Sequence, residues 1–248
     1  MTKRLSVVVP CFNEEKTIYA LLTKVLEQEL VKEVIVIDDF SSDNSIDEIL
    51  RIQDNRVQLI KHPTNKGKGA AITSGIVLVT SELVIIQDAD LEYDPQDYRT
   101  MVVAFDEHGA DVVYGSRFLT SGPRRAVYYW HRLGNGFLTH LSNAFTNLYL
   151  TDMETCYKMM RREVALALNI KENRFGLEPE ITAKISAMRL KVYEVPIGYN
   201  SRTYNEGKKI TWKDGFSAIR CIIKYNLPRS RRHTLQGYLK AIETSWKE

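Results

Sequence analysis

The chain has 248 residues, 44% hydrophobic and 26% charged, with a net charge of +3. That is an ordinary balance for a soluble globular protein, with room for a sizeable core in one large or two small domains. No stretch reaches the roughly 18 consecutive apolar residues of a membrane span. The start, Met1-Thr-Lys-Arg4, runs into an apolar strand with no signal-peptide pattern. Cys11, Cys156 and Cys221 lie far apart, without CxxC or zinc spacing, so the expectation is a reducing, cytoplasmic compartment.

The charge is unevenly spread. From Arg202 onward there are 11 Lys/Arg against 4 Asp/Glu, and the preceding part is mildly acidic. A basic end of this kind suits phosphates, an anionic membrane face or plain solvent. A nucleic-acid partner is not expected.

In chain order, Leu5 to Pro10 reads as a buried strand, and Asn13 as the cap of a helix with Ile18, Leu21, Leu22, Val25 and Leu26 on one face. Val34 to Ile37 is a second strand ended by Asp38-Asp39, and Ser42 or Asp43 starts a helix. Val57 to Lys61 is a third strand. The loop Asn65-Lys-Gly-Lys-Gly69 then opens a helix. Leu83 to Gln87 is a fourth strand, Pro95 begins a helix to about Glu107, and Val112 to Tyr114 is a fifth strand ended by Gly115-Ser-Arg117. Beyond it, helices are expected over about 130–149, 161–168 and 178–188, with strands over 155–160 and 192–197. From about Pro228 an appended helix carries Leu235, Tyr238, Leu239, Ile242 and Trp246 on one face. That stripe fits packing against the core or a second copy better than membrane contact. The expected organisation is one main domain over residues 1–227 and a basic amphipathic segment over 228–248.

Alternating strands and helices predict an α/β fold with a mostly parallel, doubly wound sheet. Ligands of such sheets bind beyond the carboxyl ends of the strands. The polar clusters Asn13-Glu14, Asp38-Asp39, Asp88 to Asp90 and Ser116-Arg117 fall at those ends. Asp88-Ala-Asp-Leu-Glu92 places three carboxylates at alternate positions, which face the same way if the chain stays extended. Oxygen-only ligands suit Mg2+ or Mn2+ shared with substrate phosphates. Asn65 to Gly69 matches neither common phosphate-loop pattern, so its reading is limited to a glycine-rich, basic helix start able to approach an anion.

Val9-Pro-Cys-Phe-Asn-Glu14, Ile37-Asp-Asp39, Asn65 to Gly69, Asp88-Ala-Asp90, Gly115-Ser-Arg117 and Glu194-Val-Pro-Ile197 occur in the order found in family 2 glycosyltransferases. The sequence resembles that family over about residues 4–210. Thr155-Cys-Tyr-Lys158, Arg161 to Val164 and Glu178 to Ile181 resemble its polyprenyl-phosphate branch, the dolichyl-phosphate mannosyl- and glucosyltransferases. The resemblance implies a GT-A (Rossmann-like) fold. It also implies inverting, metal-dependent transfer from a nucleotide sugar, UDP favoured over GDP, to a polyprenyl or dolichyl phosphate. Pro10, Phe12, Glu14, Ile37 and Asp39 would line the base and ribose pocket. Lys68, Asp88 and Ala89 would contact the donor, and Asp88, Asp90 and Glu92 the metal. Arg202 and Lys208 would close over the diphosphate. Arg117 would meet phosphate. Apart from the resemblance, Arg132 and Arg125 are further candidates for an acceptor phosphate, because guanidinium forks bind phosphate bidentately, or else are solvated charges flanking a helix.

Two alternatives accompany this reading. A saccharide-hydroxyl acceptor would need a carboxylate base, for which Asp152, Glu178 and Glu180 are the candidates. A silent nucleotide-sugar-binding or interaction protein would use the same fold without turnover. Relatives of the branch often continue into transmembrane helices, whereas this sequence runs into a basic segment, a departure that weighs against a lipid-linked acceptor. Contact with a cytoplasmic membrane face is therefore expected to be peripheral.

Overall fold

A computed structural model of the chain describes residues 3–119, 125–126, 128–174, 176–201 and 212–245. The strands are β1 (Leu5–Cys11), β2 (Val31–Asp38), β3 (Val57–Lys61), β4 (Leu83–Ile86), β5 (Val112–Ser116), β6 (Lys158–Arg161) and β7 (Val192–Pro196). They form one sheet in the order β3-β2-β1-β4-β6-β5-β7. All pairings are parallel except those of β6, which runs antiparallel to both β4 and β5. The expected mostly parallel α/β sheet is observed.

The helices are α1 (Ile18–Leu26), α2 (Ser45–Leu50), α3 (Lys68–Ile76), α4 (Tyr98–His108), α5 (Tyr129–Thr146), α6 (Arg162–Ala167), α7 (Leu177–Ala187), α8 (Trp212–Asn226) and α9 (Pro228–Ser245). The inner strands are nearly continuous apolar runs because they are covered on both faces: Leu5, Val7, Val8, Val9, Val34, Val36 and Ile37 are all fully buried. Gly75 lets α3 approach this core, since a Cβ there would press on Val8 and touch Ile37.

Three local readings change. Asn13 does not cap α1, whose N-cap is Thr17. It adopts a left-handed conformation (φ 54°), its Oδ1 accepts from Ser42 N at 2.8 Å, and its own N donates to Ser41 Oγ at 3.0 Å. The loops after β1 and β2 are thus stitched to each other. Residues 155–157 precede β6 rather than forming its start, because Lys158 pairs with Tyr114 and Arg161 with Leu83 at the ends of its two ladders. The basic stretch before Pro228 contains α8, which the sequence reading left unassigned. The helix α9 lies against α6, α7 and α8, and Tyr238 packs on the main core. Its apolar stripe is therefore used, at least at Tyr238, within the domain. Trp246 lies outside the described residues.

The chain direction reverses its crossover at β1. From there β2 and β3 build one way and β4 the other, which opens a crevice at the carboxyl ends of β1 and β4.

Candidate active site

The crevice is walled by the loops after β1, β2, β4 and β5. On the β2 side, Asp39 is 3% exposed and acts as a hub. Its Oδ1 contacts His62 Nδ1 at 2.7 Å and accepts from Lys66 N at 2.9 Å, and its Oδ2 accepts from Gly67 N at 2.7 Å. His62 is held in turn by Ser74 Oγ at 2.9 Å. The anion at the start of α3 is therefore the protein's own carboxylate. Gly67 (φ 96°) and Gly69 serve close packing, because a methyl at either would overlap the backbone carbonyl of Asn173 or Glu172. This corrects the expectation that the Asn65–Gly69 loop presents its backbone to a bound anion. Ile37 is also displaced from its expected place: it is fully buried beneath α3 rather than lining a pocket.

On the β1 side, Pro10 is half-buried and Phe12 is 40% exposed. Glu14 Oε2 accepts from Thr17 Oγ1 at 2.9 Å, and the same hydroxyl reaches Ala89 O at 3.0 Å. That bond ties the start of α1 to the acidic run after β4.

In that run, the Lys68 ammonium stands 2.7 Å from Asp88 Oδ1 and 3.5 Å from Glu178. Burial opposes the charge on Lys68, yet Asp88, Cys156 and Glu178 hold its pKa well above the ordinary lysine value. Burial likewise works against ionised Asp88, and Lys68 outweighs it, so the carboxyl is held below its usual range. Asp90 Oδ1 accepts from Glu92 N at 3.0 Å, an Asx turn that bends the chain. The extended run that would aim three carboxylates one way is thereby lost. Glu92 accepts instead from Tyr199 Oη at 3.1 Å. Among the described residues no three His, Cys, Asp or Glu side chains are grouped to hold a metal ion. Asp88 and Asp90 both lie in the bend that follows β4, while Glu92 is turned to Tyr199.

On the β5 side, Arg117 is clamped by Asp152. Nε reaches Oδ2 and Nη2 reaches Oδ1, each at 2.7 Å, and Arg117 N donates to Oδ2 at 3.0 Å. The two side chains are 7% and 0% exposed. Glu194 on β7 accepts from Thr151 N and Asp152 N at 2.9 and 3.2 Å, which fixes the loop carrying Asp152. The Arg117 guanidinium also lies 5.1 Å from the Tyr199 ring and 5.5 Å from the Phe118 ring. The Arg132 guanidinium is 3.8 Å from the same Phe118 ring. Arg125 donates to Ser201 O at 2.9 Å. Arg202 and Lys208 lie outside the described residues.

The carboxylates weighed as bases are all engaged. Glu180 is fully buried, receives Lys171 N at 2.8 Å and Glu172 N at 2.7 Å, and pairs with Lys184 at 2.5 Å. It organises the turn before α7, so the geometry does not support a proton-accepting role. Asp152 is bound to Arg117, and Glu178 is beside Lys68.

One carboxylate escaped the sequence reading. Glu154 has a buried Oε1 without a hydrogen-bond partner. Burial, with Glu178 nearby, pushes its pKa up to about 7 against the opposing charges of Lys158 and Arg117. The available signal was its place between Asp152 and the Thr155–Lys158 motif. Lys158 is also buried; it donates to Met153 O at 3.1 Å and to Thr155 O, closing the turn that carries Glu154.

The glycosyl transferase family 2 profile matches residues 6–168. An uncharacterized protein of Methanocaldococcus jannaschii, MJ1222, is 31% identical over 86% of this chain and 88% of its own length. The undecaprenyl-phosphate 4-deoxy-4-formamido-L-arabinose transferase of Proteus mirabilis is 30% identical over 83% of this chain, which spans 62% of that relative. Among solved structures, glucosyl-3-phosphoglycerate synthase of Mycobacterium tuberculosis with Mn2+, UDP and phosphoglyceric acid aligns at TM-score 0.67 and 19% identity, over 90% of this chain and 78% of that one. The same enzyme with Mg2+ and UDP gives 0.66, at 19% identity over 90% and 79%. These likenesses show the GT-A fold. With sheet order, switch-point crevice and profile in agreement, the chain belongs to glycosyl transferase family 2 and is a glycosyltransferase.

Proposed function

We propose that this glycosyltransferase moves a sugar from a nucleotide sugar to a polyprenyl phosphate. The observation that carries the reading is the state of the carboxylates. Asp152, Glu178 and Glu180 are each committed to a cation or to backbone N–H groups. A phosphate acceptor is already anionic near neutral pH and needs no base, whereas a hydroxyl does. The undecaprenyl-phosphate transferase among the relatives supports the same acceptor class.

Asp88 and Asp90 offer hard oxygen donors, and one or two carboxylates completed by substrate phosphates is the usual holding of Mg2+. The residues therefore fit a divalent cation, Mg2+ or Mn2+, which would neutralise charge on the departing diphosphate. Lys68 places a second positive charge beside Asp88. An acceptor phosphate oxygen attacks the anomeric carbon, the new C–O bond forms as the bond to the donor phosphate breaks, and the electron pair leaves on the nucleoside diphosphate. The solved neighbours bound to UDP support a uridine donor. Arg132, and Arg117 within the limits of its pairing, supply cations on the acceptor side.

The experiment is a donor panel with Mg2+ or Mn2+, offering a short polyprenyl phosphate and free saccharides as acceptors. Labelled sugar in the lipid phase supports the proposal. Label found only in water-soluble oligosaccharide overturns it and favours a second reading, in which Glu154 takes the proton of a hydroxyl acceptor. Its near-neutral titration suits that task.

A further inference from the structure

The N-terminal half of α5 carries an apolar surface that the site does not use. Trp130, Leu133 and Phe137, at spacings of three and four, fall on one face and are 77%, 51% and 58% exposed. Tyr129 beside them is 70% exposed, its ring 5.1 Å from that of Trp130. The helix is anchored further along, where Thr139, Ser142 and Thr146 are buried, and it packs against α7 and α8. A run of large side chains exposed on a helix already anchored elsewhere marks an interaction surface.

Charge identifies what it faces. Residues 118–151 contain no Asp or Glu, and Arg125 and Arg132 stand on this stretch, whereas Arg117 is buried against Asp152. A second copy docked face to face would bring Arg125 and Arg132 of both copies together with no carboxylate of residues 118–151 to pair them, which is repulsive. A bilayer interface containing anionic lipid instead offers phosphates to the guanidinium groups and a boundary where Trp and Tyr rings are favoured. The surface also begins next to the site, since the Phe118 ring has the Arg132 guanidinium 3.8 Å and the Arg117 guanidinium 5.5 Å from its centre.

We infer that the Tyr129–Phe137 face of α5 docks the protein on an anionic phospholipid surface, with its apolar side chains entering the headgroup boundary. The inference deepens the lipid-phosphate reading, because a docked α5 would hold the acceptor wall of the crevice at headgroup level. Its test is kept separate by using vesicles that contain no polyprenyl phosphate.

The full chain is floated with phosphatidylcholine vesicles with and without phosphatidylglycerol. Wild type is expected to bind the anionic vesicles, more weakly at high salt. Trp130→Ser/Leu133→Ser/Phe137→Ser is expected to lower the partition coefficient at least about tenfold, as loss of three inserted side chains requires. Leu239→Ser on α9, also at an exposed position, is expected to leave partitioning unchanged. Near-UV circular dichroism checks that each variant is folded. In a variant with Trp212 and Trp246 replaced by Phe, Trp130 emission is expected to shift blue and be quenched by headgroup-proximal brominated lipid. Four outcomes overturn the inference: no vesicle binding by wild type, undiminished binding by the triple variant, loss that follows Leu239 instead, or self-association through α5 in place of lipid binding. Vesicle binding combined with transfer only to saccharides would sink the acceptor reading and leave the docking surface standing.

Discussion

The Arg117–Asp152 pair offers the sharpest test of how the site is held together. Two hydrogen bonds of 2.7 Å join side chains only 7% and 0% exposed, so solvent screens little of their interaction. Removing one partner of such a pair strands a buried charge, which costs about 3–5 kcal/mol. Against a typical domain stability of about 5–15 kcal/mol, Asp152→Asn alone should consume a large share. Replacing both groups, as in Arg117→Met/Asp152→Leu, removes the stranded charge as well as the attraction. The double variant should therefore lie at least about 2 kcal/mol above the sum of its single variants. Urea unfolding followed by circular dichroism and fluorescence, with unchanged m-values, measures each corner of the cycle. Additive effects, or a loss below about 1 kcal/mol for Asp152→Asn, would refute the claim that this pair is buried and mutually dependent. Arg117→Lys keeps the charge but not the planar fork, and should lose transfer activity along with stability.

Three further outcomes follow from the same geometry. Gly67→Ala forces a side chain into φ 96° and against the Asn173 carbonyl; the backbone term alone is about 1–3 kcal/mol, read as a fall in the urea midpoint. Asp90→Ala should lower kcat/KM for transfer about 100-fold or more by loss of diphosphate stabilisation, with near-wild-type circular dichroism; retained activity in Mg2+ would remove Asp90 from the donor site. Glu154, with a carboxyl raised by burial to about 7, binds its proton in the folded state where the unfolded chain releases it. Its contribution is thus fully present below the ordinary glutamate value and lost as pH rises to about 7. Glu154→Gln cannot ionise, so its stability relative to wild type should improve by up to about 3 kcal/mol between about pH 4 and pH 8. A parallel pH dependence of the two unfolding curves would contradict the burial argument.

The sheet was legible because inner strands leave a strong pattern. Val7 to Val9 and Val34 to Ile37 are buried on both faces, and a continuous β-branched run has few other solutions. The antiparallel direction of β6 was not legible, since the apolar pattern of Lys158 to Arg161 is the same in either direction. The acidic run after β4 was found by position, but its geometry depended on one backbone bond, Glu92 N to Asp90 Oδ1, which no spacing rule reveals. The glycines of residues 65–69 were misread for a related reason. Their partner, the backbone at 172–173, is more than a hundred residues away in sequence. Glu154 was overlooked because its significance lies in what does not contact it.

The same engagement of acidic groups bears on the acceptor. Asp39 is spent on the start of α3, Asp152 on Arg117, and Glu180 on the turn before α7. Each carboxylate stabilises a cation or backbone donors that would otherwise be buried without a partner, so none can be released to chemistry without loosening the wall it holds. What the acceptor side retains is cationic and aromatic: Arg117 and Arg132 about the Phe118 ring, then the exposed rings of α5. Such a wall favours an acceptor that brings its own negative charge and an apolar tail. If Glu154→Gln leaves transfer to polyprenyl phosphate within about threefold of wild type while flattening the pH dependence of stability, the carboxyl is a structural burden and the acceptor supplies the nucleophile unaided. A fall of about 100-fold or more in kcat at unchanged KM, with the acid limb of the pH profile lost, would instead make Glu154 the base and return the saccharide hydroxyl to first place.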